Sequence, residues 1–398
     1  MIQIVDKGDC CGCSACAGVC PKKCISMTED SEGFRYPVVD TKRCIECNVC
    51  VRVCPIMNPY PETVAKQVGY VIQSKDKKVL EESTSGGAFT AIAEYVIHKH
   101  GVVYGAALND NFEVFHMYVE DEAELGRFRN SKYVQSTIDP EIYRTIKRFL
   151  KEGRLVLFSG TPCQIEGLLH AVGDSYANLI TVDILCHSVP SPLVYRKYLD
   201  YLKNTLNSDI ATIRFRDKYY GYKYPTLSIT TNTLKRYHRG SESDPWLRAF
   251  LSGICSRPSC YCCKFKKRYR KCDFTLWDCH DPETFSSEFD IDGGTTNVLI
   301  HTQKGCEIIK EIAASTFNVE VRPDTLIKSG AGSLSHCIEK PDKREMFLND
   351  AKELSGIQLM NKYFPLTGKV KVKHYIRVIL CEIGLYYKMK QLILKIKN

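Results

Sequence analysis

No apolar run in this 398-residue chain approaches the ~20 residues a membrane-spanning helix needs, so no spanning segment is expected. It does not open on a charged-then-apolar signal segment, which argues against a secreted, disulfide-built protein and for a cytoplasmic one. The net charge of +9 comes without an aromatic-interleaved basic face or a nucleic-acid motif, so nucleic acid is not an expected partner. Hydrophobic residues at 44% and charged residues at 25% describe an ordinary globular protein, long enough for two or three domains. One residue type is abundant. The chain carries 21 cysteines.

Eight of them form a repeat. Cys10, Cys13, Cys16 and Cys20 are spaced C-x2-C-x2-C-x3-C before Pro21, and Cys44, Cys47, Cys50 and Cys54 repeat this before Pro55. Bacterial ferredoxins use this spacing for 4Fe-4S clusters: three thiolates on one loop reach three corners of a cube, and the fourth cysteine is carried to the other cluster. The expected ligand sets are therefore Cys10, Cys13, Cys16 and Cys54 on one cube, and Cys44, Cys47, Cys50 and Cys20 on its twin. Zinc has no use for the third closely spaced cysteine. Cys11 and Cys24 fall outside the pattern and are read as non-ligands.

After the proline-rich "PIMNPYPETV", "VGYVIQSK", "RLVLFSG" and "NLITVDILC" read as strands alternating with helices such as "PCQIEGLLHAV". This order predicts an α+β ferredoxin-like two-cluster module, residues 1–60, followed by an α/β domain with a largely parallel sheet. The α/β domain divides into 61–150 and 151–340, with a cysteine-rich basic insertion over 244–279 and a basic helical tail over 341–398. "IRFRDK" and "YPTLSITT" read as added strands.

Several loops carry candidate chemistry. Ser85, Gly86 and Gly87 precede a helix and suit either an anion cradle or a tight turn. Thr161, Pro162, Cys163 and Gln164 open a helix at a strand end, where open α/β sheets bind ligands. Cys186 and His187 reach the same edge. Cys260 and Cys263 have metal-ligand spacing that suits zinc and iron–sulfur equally. Lys264, Lys266, Lys267, Arg268, Arg270 and Lys271 beside them form a basic run, read as a solvated face or an attraction for an acidic redox partner.

Together "STSGGAFTAIAEYV", "NSKYVQS", "GTPCQIEGL", "DILCHSVPSP", "IRFRDK" and "SRPSCYCCKF", with the double cysteine motif, resemble the beta subunits of coenzyme F420-reducing hydrogenases and F420-linked dehydrogenases. The resemblance implies an FAD-binding oxidoreductase passing electrons between 4Fe-4S clusters and a hydride acceptor. That acceptor is coenzyme F420 or, as the alternative, a sugar or other organic substrate. It places Ser85, Gly86 and Gly87 near the flavin phosphates, and Lys132, Tyr133, Thr161, Pro162 and Gln164 near the flavin, with Cys163, His187 and Lys132 as catalytic candidates. Cys186, Cys260 and Cys263 are candidates for a third cluster, with Cys255 and Cys272 competing as fourth ligand. Ser188 after His187, and Trp277-Asp278-Cys279-His280, depart from the family pattern. A ferredoxin or a hydrogenase or dehydrogenase subunit is the implied redox partner. A non-catalytic electron-transfer subunit is the rival reading.

The tail "KVKVKHYIRVILCEIGLYYKMKQLILKIKN" places Ile376, Leu380, Ile383, Tyr387 and Leu394 on one helical stripe among lysines. It suits either packing on its own domain or peripheral contact with an anionic membrane.

Overall fold

The computed structural model describes residues 1–290, 292–328, 330–386 and 389. The cysteine repeat folds as a backbone repeat. Gly12 and Ser14 in the first loop, and Glu46 and Asn48 at the matching places in the second, take left-handed conformations. Each loop then turns into a four-residue helix, α1 (Ala15–Gly18) and α2 (Val49–Arg52), and the hairpin β1 (Ile25–Glu29) and β2 (Arg35–Val39) joins them.

The α/β domain is built on one eight-stranded sheet. Its first strand is β3 (Val68–Ser74), followed by α3 (Lys77–Glu82), α4 (Ala88–His98), β4 (Val102–Leu108) and β5 (Val114–Val119). Next come α5 (Pro140–Lys151), β6 (Val156–Gly160), α6 (Pro162–Val172), β7 (Leu179–Ile184) and α7 (Pro192–Leu206). A separate antiparallel sheet of β8 (Ile210–Asp217), β9 (Thr226–Thr231) and β10 (Arg236–Arg239) accounts for the added strands, and α8 (Pro245–Ser252) follows. The chain returns to the large sheet with β11 (Phe274–Cys279), β12 (Thr295–Ile300), α9 (Gln303–Glu311) and β13 (Thr316–Val321). It then runs through α10 (Pro323–Lys328), α11 (Arg344–Glu353), α12 (Gly356–Tyr363) and α13 (Gly368–Glu382).

The strand order is β13-β3-β12-β11-β7-β6-β4-β5. Its middle, β11-β7-β6-β4, is parallel, and antiparallel strands flank it on both sides. The parallel strands are apolar on both faces because both are covered. Val102, Tyr104, Val156, Phe158 and Leu179 pack with α5, α6 and the ferredoxin module, while Val103, Leu157, Ile180 and Val182 pack with α4 and α9.

Two boundaries differ from the sequence reading. Phe274–Cys279 does not belong to an insertion; it is the central strand β11, held between β7 and β12. The stretch from 341 is not all tail, because α11 and α12 bury Phe347, Leu348, Leu359 and Met360 in the core around α7 and the small sheet. Only α13 projects from the body as a tail would.

The ferredoxin module is clamped to the α/β domain. A Cβ on Gly167 of α6 would lie 2.9 Å from both Cβ and Sγ of Cys13, so the helix and the first cysteine loop meet at close range. The Tyr143 hydroxyl donates to the Cys13 carbonyl, Gln135 Nε2 to the Cys11 carbonyl at 3.1 Å, and buried Arg344 pairs with Glu32 at 2.7 Å.

Candidate redox centres

The two cysteine loops sit differently. Cys10, Cys13, Cys16 and Cys54 are all buried, and burial with the nearness of Cys10 and Cys54 pushes the Cys16 thiol up. Cys20 lines a separate pocket with Cys44, Cys47 and Cys50, near the surface, where Cys47 is exposed. Each loop thus meets the fourth cysteine of the other repeat. Cys24 also lines the second pocket, its Sγ 3.4 Å from that of Cys20.

A third cysteine group lies where β6 and β7 end. Pro162 opens α6 in its first turn, and Gln164 reaches back to accept from the Thr161 N–H at 2.9 Å, fixing the turn that carries Cys163. The segment after β7 is pinned to the loop after α8: Pro190 bridges to Ser256, and the Arg257 N–H donates to the Val189 carbonyl at 2.9 Å. The result is a cavity lined by Cys11, Cys163, Cys186, Cys260 and Cys263, with His187, Lys266 and Arg270. Burial pushes the Cys260 thiol up to about 12 and the Cys263 thiol to about 11. The His187 ring is held below its usual range by burial and then by Lys266, and its buried Nε2 has no partner among the described residues.

Neither expected fourth ligand is there. Cys255 packs into the core around α7, and Cys272 is buried beside Thr275. Cys163 and Cys11 take that place, and both were read otherwise. For Cys11 one signal was available: it doubles Cys10, whereas Ile45 stands at the matching position of the second repeat. Among the described residues no three His, Cys, Asp or Glu side chains converge as ligands of one metal ion. A cube holds its ligand sulfurs apart, so donors ringing a cavity suit it better than convergence on a point.

The basic run is not a solvated face. Lys267 pairs with Glu166 at 2.7 Å, Arg270 forks onto buried Asp183 at 3.0 Å, and Lys264 donates to the Ile56 carbonyl at 3.0 Å. These cations fill the seam between the two modules.

The remaining candidates gather on another rim. Gly86 is locked between β3 and β12: its N–H donates to Thr296 Oγ1 at 2.8 Å, and a Cβ would lie 2.3 Å from the Ile72 carbonyl oxygen. Ser85 Oγ also bonds Thr296, so the tight-turn account explains this pair. Gly87, at φ +81°, caps α4. Ser131 N–H donates to Thr84 Oγ1 at 2.7 Å and Lys218 Nζ to the Ser85 carbonyl at 2.7 Å, joining this turn to the Lys132 loop and to β8. Lys132 Nζ donates to the carbonyls of Arg127 and Arg129, and burial, then the Arg214 charge, holds its amine down at about 7. Tyr133 stacks on Phe250 at 4.5 Å, and His187 meets the edge of Phe250 at 5.1 Å, so this rim reaches the cysteine cavity through aromatic rings. Gln164 is occupied structurally, donating to Ser136 Oγ at 2.9 Å.

A cysteine-rich two-loop module seated on an α/β domain, with further cysteines at the strand ends, defines an iron–sulfur oxidoreductase. Residues 9–57 match the model of the 4Fe-4S dicluster domain, and residues 153–324 match that of the C terminus of the coenzyme F420 hydrogenase/dehydrogenase beta subunit. The chain is an oxidoreductase of this beta-subunit family, extended by the dicluster module. Among solved structures, a chain of the F420-reducing [NiFe] hydrogenase complex from Methanosarcina barkeri matches at 17% identity and a TM-score of 0.46, over 76% of this chain and 92% of that chain. Among curated proteins none matches.

Proposed function

We propose that the protein passes single electrons along three 4Fe-4S clusters to FAD, which exchanges a hydride with coenzyme F420 or a related acceptor. The observation that carries this reading is the file of three cysteine groups. They run from Cys20, Cys44, Cys47 and Cys50 near the surface, through Cys10, Cys13, Cys16 and Cys54, to Cys163, Cys186, Cys260 and Cys263 at the strand ends. A ligand set of Cys163, Cys186, Cys260 and Cys263 completes the inner cluster without Cys255 or Cys272. FAD supplies two-electron chemistry to a chain of one-electron carriers.

For the flavin the reading rests on family membership and on the rim of Gly87, Lys132, Tyr133 and β8. Arg214, Arg216 and Lys218 bring positive charge to that rim, which suits a pyrophosphate. Lys132, with its amine near 7, is a group able to hold or release a proton there. A ferredoxin or a hydrogenase or dehydrogenase subunit would exchange electrons at the exposed Cys44–Cys47 end.

Iron and flavin analysis of anaerobically purified protein tests the reading. Three clusters give ~12 Fe per chain and two give ~8. Cys163→Ala and Cys260→Ala should each lower iron by about four while leaving both ferredoxin signals; Cys255→Ala and Cys272→Ala should not. Full iron in Cys163→Ala removes the inner cluster from the reading, and protein without flavin removes the hydride step.

A further inference from the structure

The helix α13 is amphipathic in the wrong sense for a helix resting on its own domain. Its inward side is anchored: His374 is buried, Arg377 pairs with Glu242 at 2.5 Å, and Tyr386, beyond the helix, packs on Tyr224. The outward side of such a helix is ordinarily polar. Here it is apolar. Val372, Tyr375, Ile376, Ile379 and Ile383 are each 52–63% exposed. At 3.6 residues per turn they fall within about 100° of arc, opposite His374 and Arg377. This differs from the stripe expected from sequence: Ile376 and Ile383 are on it, Leu380 is half-buried, and Tyr387 and Leu394 lie outside the described residues.

Cations flank this strip on both sides. By the same helical geometry, Lys369 and Lys373 run along one edge and Lys371 along the other, all exposed. Glu382 is the one acid of the helix. Exposed Leu385 and Met389 follow, and the sequence beyond Met389 adds four apolar residues and three lysines with no acid. Among the described residues no helix is long and apolar enough to cross a membrane.

We infer that α13 lies in the plane of an anionic lipid surface, its apolar strip in the headgroup–acyl boundary and its lysines among the lipid phosphates. Apolar burial and lysine attraction act together in such helices. A second copy of this chain is the poorer occupant, since pairing the strips would bring lysine-edged faces together. The placement is independent of the cofactors bound elsewhere.

The test is flotation of the full-length holoprotein with vesicles of phosphatidylcholine, with and without phosphatidylglycerol. The wild type should float with anionic vesicles, stay behind with neutral ones, and release as salt rises from ~0.1 to ~1 M. Ile376→Glu/Ile379→Glu should weaken partitioning more than ~10-fold. Lys369→Gln/Lys371→Gln/Lys373→Gln should weaken it too, and these exposed side chains are not needed for folding. Iron content and melting temperature report the fold of both variants. Equal flotation with neutral vesicles, unchanged flotation of either folded variant, or self-association without flotation overturns the inference.

Discussion

Arg257 Nε donates to the carbonyl oxygen of Cys10 at 2.7 Å from a fully buried position. The guanidinium also donates to Gln135 Oε1 and the Arg35 carbonyl and lies over the Tyr36 ring at 4.4 Å. Among the described residues no carboxylate pairs with it. A buried cation without a counter-charge is costly. An anionic cluster on the Cys10 loop is the counter-charge this site suits. Arg257→Met should therefore lower the midpoint potential of that cluster, on the order of tens of millivolts, and leave the Cys44–Cys50 cluster unmoved. Redox titration followed by electron paramagnetic resonance reads both; equal shifts in the two signals would assign Arg257 a purely structural role.

The crossed arrangement of the two loops makes distant cysteines equivalent. Cys20→Ser and Cys47→Ser should weaken the same paramagnetic signal, while Cys54→Ser and Cys13→Ser weaken the other. If Cys20→Ser removes the signal lost in Cys13→Ser, each loop binds its own cluster and the crossing is wrong.

Gly167 sets how close α6 comes to the first loop. Alanine is the better helix former by ~1 kcal/mol, but its Cβ would stand 2.9 Å from Cys13. The clash should outweigh the propensity and cost roughly 1–3 kcal/mol net. Gly167→Ala is expected to melt lower and lose iron sooner under chelator than wild type. A higher melting temperature would mean that the loop yields easily.

Lys132 gives stability a pH slope. Its folded pKa, about 7, lies below its unfolded value of 10.5, so between them the unfolded chain binds more protons and stability rises with pH. Lys132→Met lacks that slope. Between pH 7 and 9.5 the wild type should gain on the variant by about 1 kcal/mol or more in urea unfolding, since each pKa unit is worth ~1.4 kcal/mol. Parallel curves would place the amine in the ordinary lysine range.

What the sequence made legible was local. The doubled spacing holds its meaning within eleven positions, and the strand–helix alternation around "RLVLFSG" and "NLITVDILC" carries the parallel centre of the sheet. The inner cysteine cavity depends on contacts no spacing records: Cys163 and Cys260 are 97 positions apart and meet because β6 and β7 are neighbours and Pro190 bridges to Ser256. The basic run misled for a related reason. Six cations in eight residues read as solvated until Glu166 and Asp183, from α6 and β7, are seen to face them. Phe347 and Met360 looked like tail because the surface they fill, on α7, lies about 150 residues earlier.

The unequal burial of the two cysteine loops also sets an order of damage. With Cys44 half-exposed and Cys47 exposed, dissolved oxygen meets that end of the molecule first, while Cys10, Cys13, Cys16 and Cys54 are shielded by α5 and α6. Aerobic handling would then strip iron from the outside inward. A preparation that had lost only the outer centre would stay folded and coloured, with its interior chemistry intact, yet be deaf to any electron donor.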